Sequence, residues 1–112
     1  MRTIKFFKNS VNECPIEKFL DSLSARQAKK VTWVLQLVEE AIWVPELYLK
    51  KLKNTDGIWE IRIQIDSNIF RILGFFDSSN FIATNGFCKK SRKTQSNEIA
   101  IAEKRKHEYK NR

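Results

Sequence analysis

The chain has 112 residues, of which 42% are hydrophobic, and 21 Lys and Arg against 13 Asp and Glu give it a formal charge of +8. That length fits one globular domain, residues 1–112, able to fold without disulfide or metal staples, and it excludes a multidomain machine or a repeat array. No apolar run approaches the ~20 residues that cross a bilayer, and lysines interrupt the first eight residues too early for a signal peptide, so the expected location is the cytoplasm.

Thr3 to Lys8 suits a short strand with Ile4 and Phe6 on one side. Pro15 sits where a helix takes its first residue, and Ile16, Phe19, Leu20 and Leu23 follow at helical spacing. Ser24-Ala25-Arg26-Gln27 has the form of a capping box. Behind it the stripe Val31, Val34, Leu35, Val38, Ala41 and Ile42 predicts a second helix that ends before Pro45. Glu46 to Gly57 reads as a connection containing Lys50-Lys51-Leu52-Lys53.

From Ile58 the period changes from 3.6 to 2, because Trp59, Ile61, Ile63 and Ile65 alternate with Glu60, Arg62, Gln64 and Asp66. Further strands are predicted over Ile69 to Phe76 and Phe81 to Cys88, with turns at Asp66-Ser67-Asn68 and Asp77-Ser78-Ser79-Asn80. Lys89 to Gln95 is a basic loop, and Ser96 caps a last helix through Ile99, Ala102 and Tyr109. The predicted order β-α-α-β-β-β-α makes an α+β fold, a small antiparallel sheet with helices packed on one face and the other face open.

Two cysteines, Cys14 and Cys88, lie 74 positions apart. They show no CxxC or paired-histidine spacing, so neither a disulfide framework nor a zinc site is indicated, and no metal or other cofactor is expected. The charge is concentrated instead. Residues 89–112 hold nine basic side chains against three acidic ones, +6 of the total +8, which favours a polyanionic partner if the charge gathers on one surface. No Ser/His/Asp or Cys/His arrangement, Gly-rich phosphate loop or metal-ligand cluster is visible. His107, the single histidine, is expected to be exposed, and an exposed Trp33 would mark a partner surface.

A two-residue turn at Ser67-Asn68 would pair Gln64 with Arg71 and place Arg62 and Arg71 on one face with Glu60 and Gln64, while the isoleucines turn towards the helices. A turn at Ser78-Ser79 would set Gly86 beside Arg71, leaving the guanidinium room to meet a ligand. Arg71 is the most informative residue, because it interrupts the most apolar strand. A long charged side chain there must be paired, solvated at a cleft, or used. Pairing with Glu60 or Glu98 is one reading. Contact with a phosphodiester is the other, favoured by the company of Arg62, Lys89, Lys90 and the cluster Lys50, Lys51 and Lys53. Arg92 and Lys93 extend this basic surface towards a helix N-terminus, where backbone N–H groups also favour anions; the alternative for that loop is a solvated run of charge.

The segments Leu52-Lys53 leading to Gly57-Ile58-Trp59-Glu60-Ile61-Arg62, Phe70-Arg71-Ile72-Leu73 with Phe75-Phe76-Asp77, Gly86-Phe87-Cys88-Lys89-Lys90 with Lys93-Thr94, and Glu98-Ile99-Ala102-Tyr109 cover about half of the chain in order. In that order they resemble the RelE/ParE superfamily of bacterial toxins, most closely its HigB-like, phage-associated branch. The resemblance implies the toxin half of a type II toxin-antitoxin pair. Such a toxin enters the ribosomal A site and cuts messenger RNA there by attack of a ribose 2′-hydroxyl on its adjacent phosphate, without a metal. Carried over by position, Arg71 matches the family's central arginine, Arg62 a basic residue on the preceding strand, and Lys89-Lys90 the basic pair after the last strand. The His or Tyr that moves a proton in other members has no clear counterpart, with Gln95 near one such position and Gln64 at a basic one.

On chemical grounds, pre-placed guanidinium groups stabilise the charge that builds on the phosphoryl oxygens. A lysine crowded by cations, Lys89 or Lys90, or the carboxylate of Glu60 would move the proton. Lys50, Lys51, Lys53, Arg92 and Lys93 would bind RNA. The resemblance also implies an antitoxin partner of helix-turn-helix type. Two rivals remain at this stage: a ParE-like toxin that poisons gyrase by protein contact, and a non-catalytic module that binds nucleic acid or the ribosome.

Overall fold

A computed structural model of the chain describes residues 2–89 and 95–112. Its elements are β1 (Thr3–Phe6), α1 (Pro15–Asp21), α2 (Ala25–Glu40), β2 (Leu49–Lys51), β3 (Trp59–Ile65), β4 (Asn68–Asp77), β5 (Asn80–Lys89) and α3 (Ser96–Lys110). The fold is α+β and RelE-like, built on a five-stranded sheet in the order β1-β5-β4-β3-β2. The sheet is mixed, because β1 runs parallel to β5 while the other neighbours are antiparallel. The segment expected to be a plain connection contributes β2, which pairs Lys50 with Glu60 and Lys51 with Trp59.

Two of the three helix-start signals act locally as the sequence predicts; the third does not, since Ser96 is the first residue of α3 and the N-cap is Gln95, whose side chain makes no cap hydrogen bond. Pro15 opens α1. Ser24 and Gln27 close a reciprocal capping box on α2, and Val31, Val34, Leu35 and Val38 are buried along its inner face. The helix stops at Glu40, so Ile42 falls outside the expected stripe and is fully exposed. Asp66-Ser67 and Ser78-Ser79 form the two hairpin turns, with Asp66 and Ser78 at positive φ. Short polar residues tolerate that left-handed conformation better than most.

Strand alternation sorts the core into two layers. Ile61, Ile63, Ile65, Phe70, Ile72, Phe81 and Ala83 face α1 and α2. Leu73, Phe75 and Ile82 face the other way and pack with Phe7, Ile58 and Ala102, while Ile99 and Tyr109 of α3 close over them. The helices therefore lie on both faces, correcting the expectation of one covered and one open face. α3 has a weakly amphipathic sequence, with Ala102 its one fully buried residue. A narrow apolar contact of this kind leaves little period to read. Polar links hold the helix down: Tyr109 donates to Asp77 Oδ2 at 3.0 Å, Lys106 Nζ donates to the Asp56 carbonyl at 2.6 Å, and Asp56 N donates to Glu103 Oε2 at 2.9 Å. Among the described residues no helix is long and apolar enough to cross a membrane.

Candidate functional site

The hairpin of β3 and β4 turns one residue earlier than the sequence suggested, at Asp66-Ser67, and this sets Arg62 directly opposite Arg71. Pairing has moved by two positions along the ladder, an even number, so every side chain keeps its expected face. Arg62, Arg71, Glu60 and Gln64 share the face on which α3 packs further along, towards the β4–β5 turn.

Beyond that turn the ladder carries an irregularity between Leu73 and Gly74: Gly74 pairs with Ala83, but Leu73 pairs with Asn85. The extra residue is Thr84, whose hydroxyl donates to the Leu73 carbonyl at 3.1 Å and whose own carbonyl accepts from Arg105 at 2.8 Å. A bulge of this kind shifts every later pair by one and reverses the faces. Phe87 therefore stands opposite Arg71, and Gly86 stands opposite Ile72 on the other side of the sheet. The expectation that Gly86 leaves room for the Arg71 guanidinium is thus overturned. A Cβ on Gly86 would meet Cδ2 of Phe19 at 2.5 Å, so the missing side chain lets α1 approach the sheet.

The site centres on a carboxylate. Glu60 Oε1 lies 3.2 Å from Arg62 Nε, and Glu60 Oε2 lies 3.2 Å from an Arg71 terminal nitrogen. The Glu60 side chain is 2% exposed and that of Arg71 0%, whereas that of Arg62 is 22% exposed. Both guanidinium groups project together as expected, but not into a common wet basin. Arg71 is sealed against an acidic partner, and only Arg62 reaches solvent. Burial holds the Arg71 guanidinium below its ordinary pKa; the Glu60 charge opposes that effect and the Arg62 charge adds to it. A strand otherwise built of Ile, Phe and Leu can accommodate a cation at this depth only by neutralising it, and Glu60 does so. The other suggested partner, Glu98, is engaged elsewhere, accepting from Asn85 Nδ2 at 3.0 Å.

Of the remaining expected site residues, Lys50 is brought to this group, because its pairing with Glu60 places it half-buried on the same face. Lys51 pairs with Trp59 and belongs to the opposite face, and Lys53 is exposed in the following turn. Lys89 occupies the strand position opposite Ile69, two residues from Arg71. The Lys89 side chain, together with Lys90, Arg92 and Lys93, lies outside the described residues. His107 is exposed as expected, 3.3 Å from Asp56. Cys14 is buried and Cys88 exposed, both as free thiols.

The sequence reading missed a groove along the edge of β3. β2 covers this edge only as far as Ile61, extended by one hydrogen bond from Arg62 N to the Tyr48 carbonyl at 2.8 Å. Past that point two adjoining hollows open at this edge, one lined by Arg62, Tyr48, Lys30 and Gln64 and the other by Lys30, Gln64 and Trp33. The exposed side of α2, with Arg26, Lys29, Lys30 and Trp33 at spacings of three and four, carries the signal that would have pointed to it.

The family model described as phage-derived protein Gp49-like (DUF891) matches residues 18–107. No curated protein matches the chain.

Proposed function

The chain belongs to the Gp49-like family of phage-derived proteins, a toxin-like family of the RelE type, and from that premise we propose that it is the toxin of a toxin-antitoxin pair and an endoribonuclease that cuts messenger RNA on the ribosome. The observation that carries this reading is the Arg62–Glu60–Arg71 group. A partly exposed guanidinium held by a buried carboxylate is a pre-oriented donor for a phosphoryl oxygen, and fixed donors of this kind stabilise charge that develops in a transition state.

In the reaction, the 2′-oxygen forms a bond to the adjacent phosphorus while the bond from phosphorus to the 5′-oxygen of the next nucleotide breaks. A base takes the 2′-hydroxyl proton and an acid supplies one to the leaving oxygen. The products are a 2′,3′-cyclic phosphate and a 5′-hydroxyl, and no co-reactant is consumed.

Arg62 is the residue assigned to touch the phosphate. Glu60 and Arg71 are positioning residues, since both oxygens of Glu60 are engaged by guanidinium groups and Arg71 is enclosed. This differs from the sequence expectation that ranked Arg71 first and offered Glu60 as a base. Lys89, at the strand position opposite Ile69, and Lys90, the next residue of the chain, are proposed to move the protons, and Lys50 to hold a neighbouring phosphate. An antitoxin of helix-turn-helix type is the proposed partner.

Controlled expression in a bacterium tests this function, with transcript ends mapped on translated and untranslated copies of one message. Breaks confined to the translated copy, bearing 5′-hydroxyl ends, are expected. Arg62→Ala should abolish both the breaks and the growth arrest with an unchanged circular dichroism spectrum. Growth arrest with every transcript intact would overturn the ribonuclease reading and point to a protein target such as gyrase.

A further inference from the structure

Trp33 sits half exposed on the outer side of α2. The Lys30 ammonium lies 5.0 Å from the centre of its ring. Lys29 and Arg26 flank it on the same side of the helix, and the four side chains share with Gln64 an open cavity of about 420 Å³, within the range of ordinary ligand pockets. Lys30 and Gln64 also line the adjoining recess, whose far wall includes Arg62. The two hollows thus adjoin at Lys30 and Gln64, the tryptophan lining one and the arginine assigned to the phosphate lining the other.

We propose that this groove is an RNA subsite in which a nucleotide flanking the cleaved linkage stacks on Trp33 while Lys30 and Lys29 hold its phosphates. The inference rests on the ribonuclease reading and adds to it where the message runs after leaving Arg62.

Two features select RNA as the occupant. First, the Trp33 hollow adjoins the one lined by Arg62, sharing Lys30 and Gln64 with it, so a strand gripped at Arg62 is brought to its edge. Second, its walls combine a flat aromatic ring with cations on one side of a helix, the pairing that single-stranded nucleic acid requires, because every base has a face to stack and every linkage a charge to neutralise. Asp66 pairs with Arg26 at 2.9 Å, which leaves Lys29 and Lys30 as the net positive charge of the cavity.

The test is cutting of defined messages on programmed ribosomes by the unaltered protein, Trp33→Ala, Trp33→Phe and Lys30→Ala. Three messages are used: one extending on both sides of the cleaved linkage and two truncated close to it on either side. Loss of one stacked base corresponds to roughly a tenfold change. On the full message, Trp33→Ala should therefore raise the concentration of loaded ribosomes giving half-maximal rate about tenfold, with the saturated rate unchanged, and Trp33→Phe should restore most of the loss. On one of the truncated messages the unaltered protein should fall to the level of Trp33→Ala, and the substitution should then cost nothing.

An equal penalty on all three messages would mean that Trp33 contacts a protein rather than the message, and would overturn the proposal. So would no penalty on any of them, with the ribonuclease reading left standing. Failure of the unaltered protein to cut any message would refute that reading and this inference together.

Discussion

Glu60 pairs with two guanidinium groups from a position almost wholly shut off from water, so its loss would expose a buried charge. Glu60→Ala leaves the Arg71 charge buried without that carboxylate, and breaking a buried pair from one side costs about 3–5 kcal/mol. Urea unfolding of Glu60→Ala should show a loss of that order. The double variant Glu60→Leu/Arg71→Met replaces both charges with apolar groups of similar volume and should recover most of it. The recovered protein should remain inactive, because the carboxylate that holds Arg62 is gone; recovery of stability together with activity would remove the group from the mechanism. At the other end of β4, Tyr109 is held above its usual pKa, chiefly by the hydrogen bond it donates to Asp77 and then by burial. A raised pKa means that this contribution is whole below the unfolded tyrosine value and is lost as pH rises through the higher folded one. Tyr109→Phe should cost no more than about 1 kcal/mol near neutrality, given that the bond is only partly shielded. In urea titrations repeated at alkaline pH, the gap between variant and parent should close.

The elements differ in how plainly the sequence announces them, and the difference follows how local their causes are. The capping box of α2 and the proline of α1 act within four residues, and both stand where the sequence places them. Ser24→Ala should therefore cost about 1 kcal/mol, visible as a lower unfolding midpoint. The period-two pattern likewise fixes which side chains of β3 and β4 share a face. The register of β5 against β4 was not legible, because it depends on the bulge at Thr84, and that bulge is stabilised by a hydrogen bond from Arg105, 21 positions away. One inserted residue was enough to turn Gly86 from the arginine face to the Phe19 face. Gly86→Ala tests the reassignment. The added methyl group collides with the Phe19 ring, and overpacking of this kind costs about 1–3 kcal/mol. The loss should appear in thermal unfolding, while cutting by the folded fraction stays intact; had Gly86 stood beside Arg71, activity would fall first.

Across the whole molecule, the excess of +8 attracts any polyanion, but only cations that touch a phosphate release counterions when RNA binds. On the ribonuclease reading with its Trp33 subsite, Arg62 and Lys30 are two such contacts. Lys110 serves as the comparison. It sits 4.0 Å from Asp77, at the end of β4 six residues from Arg71, about 20 Å along the strand. All three substitutions to alanine remove one charge, so a general attraction to net charge would weaken binding equally in each. Contact predicts otherwise. The logarithm of the binding constant for message-loaded ribosomes, plotted against the logarithm of salt concentration, should lose about 0.7 of its slope for Arg62→Ala and again for Lys30→Ala. It should keep its slope for Lys110→Ala. Equal slopes for all three would show that the protein is held by its overall charge alone, and would detach both the groove and the arginine from the path of the RNA.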